Sequence, residues 1–215
     1  MPTRIVVVRH GQTYGNIEGR FCGHSETELT ALGIAQARAA GERLAATHFD
    51  AAYASDLSRA AMTAEYILES RRHVRPVLDP GLREMHYGEW EARPYKELFA
   101  ESPDAVKRFL TGREHRAPGG ETLQEVRKRT VSAVRRIAEA HPERCVLVVS
   151  HGNAIMALVA ELLQVPLEST WSFVVHNTSI SELQFTKGGR FSLVSFNDAA
   201  HTVGLEEAAG VRAAL

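Results

Sequence analysis

Two histidines stand in one local context: IVVVRHG at 5–11 and VLVVSHG at 146–152 each run an apolar stretch into histidine and glycine, at His10 and His151. Imidazole changes charge near neutral pH and serves as nucleophile, base or metal ligand. In an open parallel sheet, ligands gather outside the carboxyl ends of the strands, so both histidines would reach one edge. Each glycine lets the backbone turn sharply and approach a ligand, and a helix starting at Gly152 would aim amides and a positive dipole end into the same space. Arg9 precedes His10, while Arg59 stands in the first turn of SDLSRAAMTAE (55–65), where a cation is unfavourable unless an anion is near. Together these residues read as a two-histidine anion site. The competing readings are packed or capped imidazoles, an Arg59 paired with Asp56 or Glu65, and a metal site. For the last, neither histidine has an H-x-H, H-E-x-x-H or nearby Cys/Asp spacing.

Such a site needs buried strands to hold it. Arg4 to Val8 and Cys145 to Ser150 are apolar runs of that kind. Helical patterns cover 29–46 with Thr30 as cap, 56–70 with Ser55 or Asp56 as cap after the short strand AAYAS, and 121–140. Strands alternating with helices predict an α/β fold, a three-layer α/β/α sandwich around a mostly parallel sheet. WSFVVHNTSISELQF, KGG and RFSLVSF predict a hairpin near the far edge. Residues 92–120, punctuated by Pro94, Pro103, Gly112, Pro118, Gly119 and Gly120, predict a lid-like insert with two short helical pieces; residues 199–215 predict a loose helix or frayed tail. The 215 residues are expected to form a single domain.

Composition narrows the classes. With 44% hydrophobic and 24% charged residues the chain is ordinary globular material. A formal net charge of −1 supplies no field to hold nucleic acid or an anionic membrane, so any affinity for phosphate must be local. Of the 25 basic residues 21 are arginine, a planar fork suited to phosphate, although genome composition produces the same bias. Two cysteines, Cys22 and Cys145, are too few for a disulfide framework and fit a reducing cytoplasm. No signal-peptide pattern opens the chain and no apolar run approaches the ~18 residues of a membrane span. The expectation is a cytoplasmic protein without nucleic-acid or membrane partners; assembly is open, with a homodimer as the candidate.

Arg9, His10, Gln12, Thr13, Asn16, Arg59 and His151 together resemble the histidine phosphatase, or phosphoglycerate-mutase-like, superfamily. Its RHG-x-T motif is matched by RHGQT, its downstream Asn by Asn16, its S-x-L-x-R-A-x-x-T-A segment by SDLSRAAMTA and its second histidine by VSHG, in order from residue 4 to about 200. The resemblance implies that His10 attacks phosphorus to form a phosphohistidine, with Arg9, Arg59 and His151 around the equatorial oxygens. Gln12, Thr13, Asn16 and Gly152 are then further substrate-binding residues. LREMHYGEWE (82–91) resembles the family's acid segment and puts Glu84 at the proton donor's position; by chemistry alone Glu89, Glu91 and Glu121 are equivalent candidates. His86, Tyr87 and Trp90 are read as pocket wall or packing. Neither a metal nor another cofactor is implied.

One core serves two activities. A phosphatase admits water to the phosphohistidine; a cofactor-dependent mutase returns the phosphoryl group to the sugar acid. RFCG (20–23) resembles the mutases, but His24 stands where they carry Trp, YGEWEARPYK departs from their YGDLQGLNK, and Ala92 replaces a glycine common to both groups. Fewer than thirty residues separate Lys96 from GGET at 119–122, a short insert that resembles the phosphatase branch, which includes α-ribazole phosphatase. Hydrolysis of a small phosphomonoester is therefore expected. The alternatives are 2,3-bisphosphoglycerate-dependent mutase activity, with Arg113 and Arg116 as a carboxylate clamp, and a noncatalytic phosphate-binding module.

Overall fold

The computed structural model describes residues 1–71, 73–111 and 116–205. Along the chain run β1 (Thr3–Arg9), α1 (Tyr14–Ile17), α2 (Ala31–Arg43), β2 (Ala51–Ala54), α3 (Ser58–Ile67) and β3 (Pro76–Leu78). There follow α4 (Tyr95–Glu101), α5 (Pro103–Leu110), α6 (Leu123–Ala140), β4 (Cys145–Ser150), α7 (Gly152–Leu162), β5 (Ile180–Phe185) and β6 (Phe191–Asp198). The strands form one sheet in the order β3-β2-β4-β1-β5-β6. Its first four strands pair in parallel, and β5 and β6 join antiparallel.

Why the two central strands are continuously apolar follows from their alternation. Ile5, Val7, Val146 and Val148 pack with Val134, Ile137, Ile155 and Leu158 of α6 and α7. On the other face Val6, Val8, Leu147 and Val149 meet Ala40 of α2, Leu44, and Ala60, Ala64 and Ile67 of α3. Both faces of the sheet are covered, so successive side chains are buried on opposite sides. The expected three-layer α/β/α arrangement is thus present.

Helix ends show where local signals hold. Thr30 caps α2 by accepting from Gly33 N at 2.9 Å, and Thr122 with Glu125 forms a capping box on α6. Neither Ser55 nor Asp56 caps α3. Its cap position is Leu57, because Asp56 is drawn into a two-bond pair with Arg83 at 2.7 and 2.6 Å, and Glu26 of a neighbouring loop accepts from Ser58 N instead.

The predicted hairpin pairs only over β5 and β6, since Leu167–Ser172 closes into a 3₁₀ turn and Val175 O is taken by Arg9. β3, a three-residue edge strand, carried no sequence signal. In the insert, Leu98 of α4 and Val106 and Phe109 of α5 join Met85, Tyr87, Trp90, Leu123, Val126, Ala154 and Ala157 in a third apolar cluster. The start of the tail makes one 3₁₀ turn, Ala200–Thr202; residues 206–215 lie outside the described set. No helix among the described residues is long and apolar enough to cross a membrane.

Candidate active site

In the parallel register of β1 and β4, Arg9 lies opposite Ser150, so the residues that follow each strand meet. The His10 and His151 ring centroids are 5.1 Å apart, and His10 N donates to Ser150 O at 2.9 Å. His10 Nδ1 lies 2.8 Å from Gly11 O, which makes Nδ1 the protonated nitrogen and leaves the lone pair on Nε2. Both rings are almost fully buried, and both are pushed well below the usual imidazole value, first by burial and then by the charge of Arg59. Each is therefore neutral near pH 7. Neither ring nitrogen of His151 has a hydrogen-bond partner, nor does Arg9 Nε.

The two arginines are anchored by carbonyl oxygens. Arg9 Nη1 donates to Val175 O at 2.5 Å. Arg59, 1% exposed in the first turn of α3, donates from Nη1 to Ser25 O (3.0 Å) and from Nη2 to Cys22 O (3.1 Å) and Gly23 O (2.6 Å). Thr63 Oγ1 accepts from Gly11 N at 3.0 Å and donates to Arg59 O at 2.7 Å, tying the turn after His10 to the helix that carries Arg59. Gly11 serves packing: a Cβ there would stand 2.4 Å from Gly33 O of α2. Gly152, by contrast, has 3.6 Å to Arg9 Nε as the nearest contact of an added Cβ.

Glu84 is buried. Its Oε1 accepts from Met85 N (2.8 Å) and its Oε2 from Asn153 N (3.2 Å) at the start of α7. Burial raises its pKa above the usual carboxylate range, against the opposing pull of those amides and of Arg59 and Arg9. Glu91 and Glu121 are held below that range by their hydrogen bonds and Glu89 is exposed. Among the described residues Glu84 is the one carboxyl lining the cavity.

That cavity, about 480 Å³, is also lined by Arg9, His10, Thr13, Asn16, Arg59 and Gly152, and its remaining wall includes the aromatic rings of Phe21, Tyr87, Tyr95, Phe109, Trp171 and Phe173. Thr13 and Asn16 bind each other in the capping box of α1, Thr13 Oγ1 accepting from Asn16 N and Asn16 Oδ1 from Thr13 N. Gln12 is not brought there. Its Oε1 accepts from Thr30 Oγ1 at 2.9 Å, and it borders a separate cavity with Gln36 and His176. Lys96 and Arg116 are absent from the lining; Arg116 pairs with Glu125 at 3.1 Å, and Arg113 lies outside the described residues. No group of three or more His, Cys, Asp or Glu among the described residues is placed to hold a metal ion.

Residues 5–199 match the histidine phosphatase superfamily (branch 1). The chain belongs to this superfamily. It is 35% identical over 173 residues to the adenosylcobalamin/alpha-ribazole phosphatase of Escherichia coli (strain K12), covering 80% of this chain and 85% of that protein. To the 2,3-bisphosphoglycerate-dependent phosphoglycerate mutase 2 of Gloeobacter violaceus it is 37% identical over 163 residues, covering 74% of each. The solved structure of Bacillus stearothermophilus YhfR superposes with a TM-score of 0.89 at 32% identity, covering 93% of this chain and 99% of that one. The relatives are named phosphatases and phosphoglycerate mutases, and the chain is an enzyme of the histidine phosphatase superfamily.

Around the motif of this superfamily the fold recruits groups the sequence did not flag. Asn153 donates through its side-chain amide to Tyr87 Oη as well as through its backbone to Glu84. Its place in the turn after His151-Gly152 was the available signal, since that is where a helix start meets a ligand. Arg129 donates to Arg83 O and Glu84 O, both at 2.6 Å, and pairs with Glu121 at 2.8 Å, holding the backbone that carries Glu84. A contact across 45 residues leaves no local trace.

Proposed function

We propose that the protein is a phosphomonoester hydrolase that works through a phosphohistidine on His10. The observation that carries this reading is the pair of buried, neutral imidazoles, one aimed by Gly11 O and the other with both nitrogens unpartnered, beside Arg9, Arg59 and a carboxyl whose pKa is raised. In the proposed cycle the His10 Nε2 lone pair attacks phosphorus as the ester P–O bond breaks, and protonated Glu84 delivers its proton to the leaving oxygen. Glu84, now ionised, takes a proton from water; the hydroxide attacks phosphorus, the P–N bond breaks and inorganic phosphate leaves neutral His10 behind. Arg9, Arg59 and a His151 N–H meet the equatorial oxygens, with Asn16 and the Gly152 end of α7 as further donors. The cycle balances with the chain's own groups, and we read it as metal-independent and residues 1–215 as one catalytic domain whose 92–120 insert walls the cavity.

Hydrolysis is favoured over mutase chemistry by the cavity wall. Among the described residues its cations are Arg9, Arg20 and Arg59, and Arg20 is tied to Glu18 and to Ala92 O. With Arg116 bound to Glu125, nothing described is left to clamp the carboxylate of a sugar acid, whereas the aromatic wall suits an alcohol with an apolar body. The test is a metal-free panel of alkyl phosphates with similar leaving groups: benzyl phosphate, glycerol 3-phosphate and 3-phosphoglycerate. Phosphate release should be lost in His10→Ala and show its highest kcat/KM with benzyl phosphate. Conversion of 3- to 2-phosphoglycerate that depends on 2,3-bisphosphoglycerate and outruns phosphate release would assign a mutase instead.

A further inference from the structure

The GEWE stretch offered Glu91 as one of several equivalent acids, and its carboxylate does not line the cavity. It accepts five hydrogen bonds instead. Oε1 takes His24 N and Tyr87 N, both at 2.9 Å; Oε2 takes Gly23 N (3.2 Å), Ser25 N (3.0 Å) and Ser25 Oγ (2.6 Å). Residues 22–25 belong to no helix or strand, so this carboxylate takes the place of a backbone ladder for them.

Those residues are the ones whose carbonyls hold Arg59. A trans peptide unit is planar, with its N–H and C=O pointing in opposite directions, so fixing one end aims the other. The unit joining Cys22 to Gly23 gives its N–H to Glu91 and its oxygen to Arg59 Nη2 at 3.1 Å. The next unit, Gly23 to His24, does the same, with 2.9 Å to Glu91 and 2.6 Å to Arg59. Anion, two aligned peptide dipoles and cation stand in line, an order in which each bond polarises the next. Gly23 is needed for that fit, because a Cβ would stand 2.3 Å from Glu91 Oε1 and 2.2 Å from Met85 O.

We infer that Glu91 is a positioning residue that aims the Arg59 guanidinium through the peptide planes of residues 22–24. The inference rests on Arg59 being a phosphate-holding group. Glutamine at 91 keeps the volume but turns an NH₂ toward N–H donors, so it should release the two planes.

The test is a double-mutant cycle between Glu91→Gln and Arg59→Ala, read as kcat/KM for benzyl phosphate and as the dissociation constant of vanadate, a phosphoryl-transfer mimic. In the wild-type background Glu91→Gln should lower kcat/KM at least about tenfold and weaken vanadate, and in the Arg59→Ala background it should change either by less than about threefold. Thermal melts establish that each variant is folded. Should Glu91→Gln not fold, Ser25→Ala removes one of the five bonds and reads the same coupling at smaller amplitude. Equal losses in both backgrounds, or no loss in the wild type, overturn the inference while leaving Arg59 in place. An Arg59→Ala enzyme within threefold of wild type overturns the role given to Arg59, and this inference with it.

Discussion

Burial pushes His10 and Glu84 toward their neutral forms, lowering the imidazole pKa and raising the carboxyl pKa. The sign for activity follows. In the proposed cycle, transfer to His10 needs the imidazole unprotonated and Glu84 protonated, so kcat/KM should fall as pH rises through the elevated Glu84 value. On the acid side it should fall only well below the ordinary imidazole range. For benzyl phosphate Glu84→Gln should lower kcat/KM by on the order of 10²–10⁴ and remove the alkaline limb, whereas p-nitrophenyl phosphate, whose leaving group needs no proton, should lose less than about tenfold. Equal losses on both esters would place the donor elsewhere. Sequence reading singled out His10, His151, Arg9 and Arg59 because each sits at a strand end or a helix start where its chemical type is out of place, and the structure brings them together. Glu84 could be ranked only by resemblance, since desolvation distinguishes it from Glu91 and Glu121, and desolvation is a tertiary property. Gln12 shows the limit of spacing: adjacency to His10 says nothing about the direction of a side chain, and this one turns to Thr30.

Strands and helices were legible where a buried period or a cap is local, as in β1, β4, and α2 with its Thr30 cap. They were misread where a distant charge intervened. Asp56 has the chemistry of a cap but pairs with Arg83, 27 residues away, and Glu26 serves the helix instead. Ala92, noted as replacing a glycine, sits at φ +60°, the left-handed region where a Cβ is crowded. Strain there costs an alanine about 1–2 kcal/mol, and glycine gives back roughly 0.4–1 kcal/mol through a freer unfolded chain, so Ala92→Gly should stabilise by about 0.5–1 kcal/mol. The check is the urea midpoint at unchanged slope; a lower midpoint would mean that the chain is not strained at this residue.

The layered sheet was readable from pattern because both its faces are covered by helices. The cavity wall was not, since Phe21, Phe109 and Trp171 come from separate stretches and meet only when the insert packs: Phe109 lies with ring centroids 6.1 Å from Phe21 and 5.4 Å from Trp171. Convergence of that kind has no period to detect. A last consequence lies in the two unpartnered nitrogens of His151 and the Nε of Arg9. Neutral His151 has one N–H, and that donor and Arg9 Nε would each gain an acceptor from a bound tetrahedral oxyanion, where a buried donor left unpaired costs about 1–3 kcal/mol. Inorganic phosphate should therefore raise the melting temperature, by the equivalent of ~2.7 kcal/mol at a hundred times its dissociation constant, and His151→Ala should flatten that response. A melting curve indifferent to phosphate would mean that these nitrogens do not face the anion. If the proposed hydrolysis is the reaction, the same affinity would make its product a competitive inhibitor, so that turnover would slow as phosphate accumulates and would report the phosphate status of the surroundings.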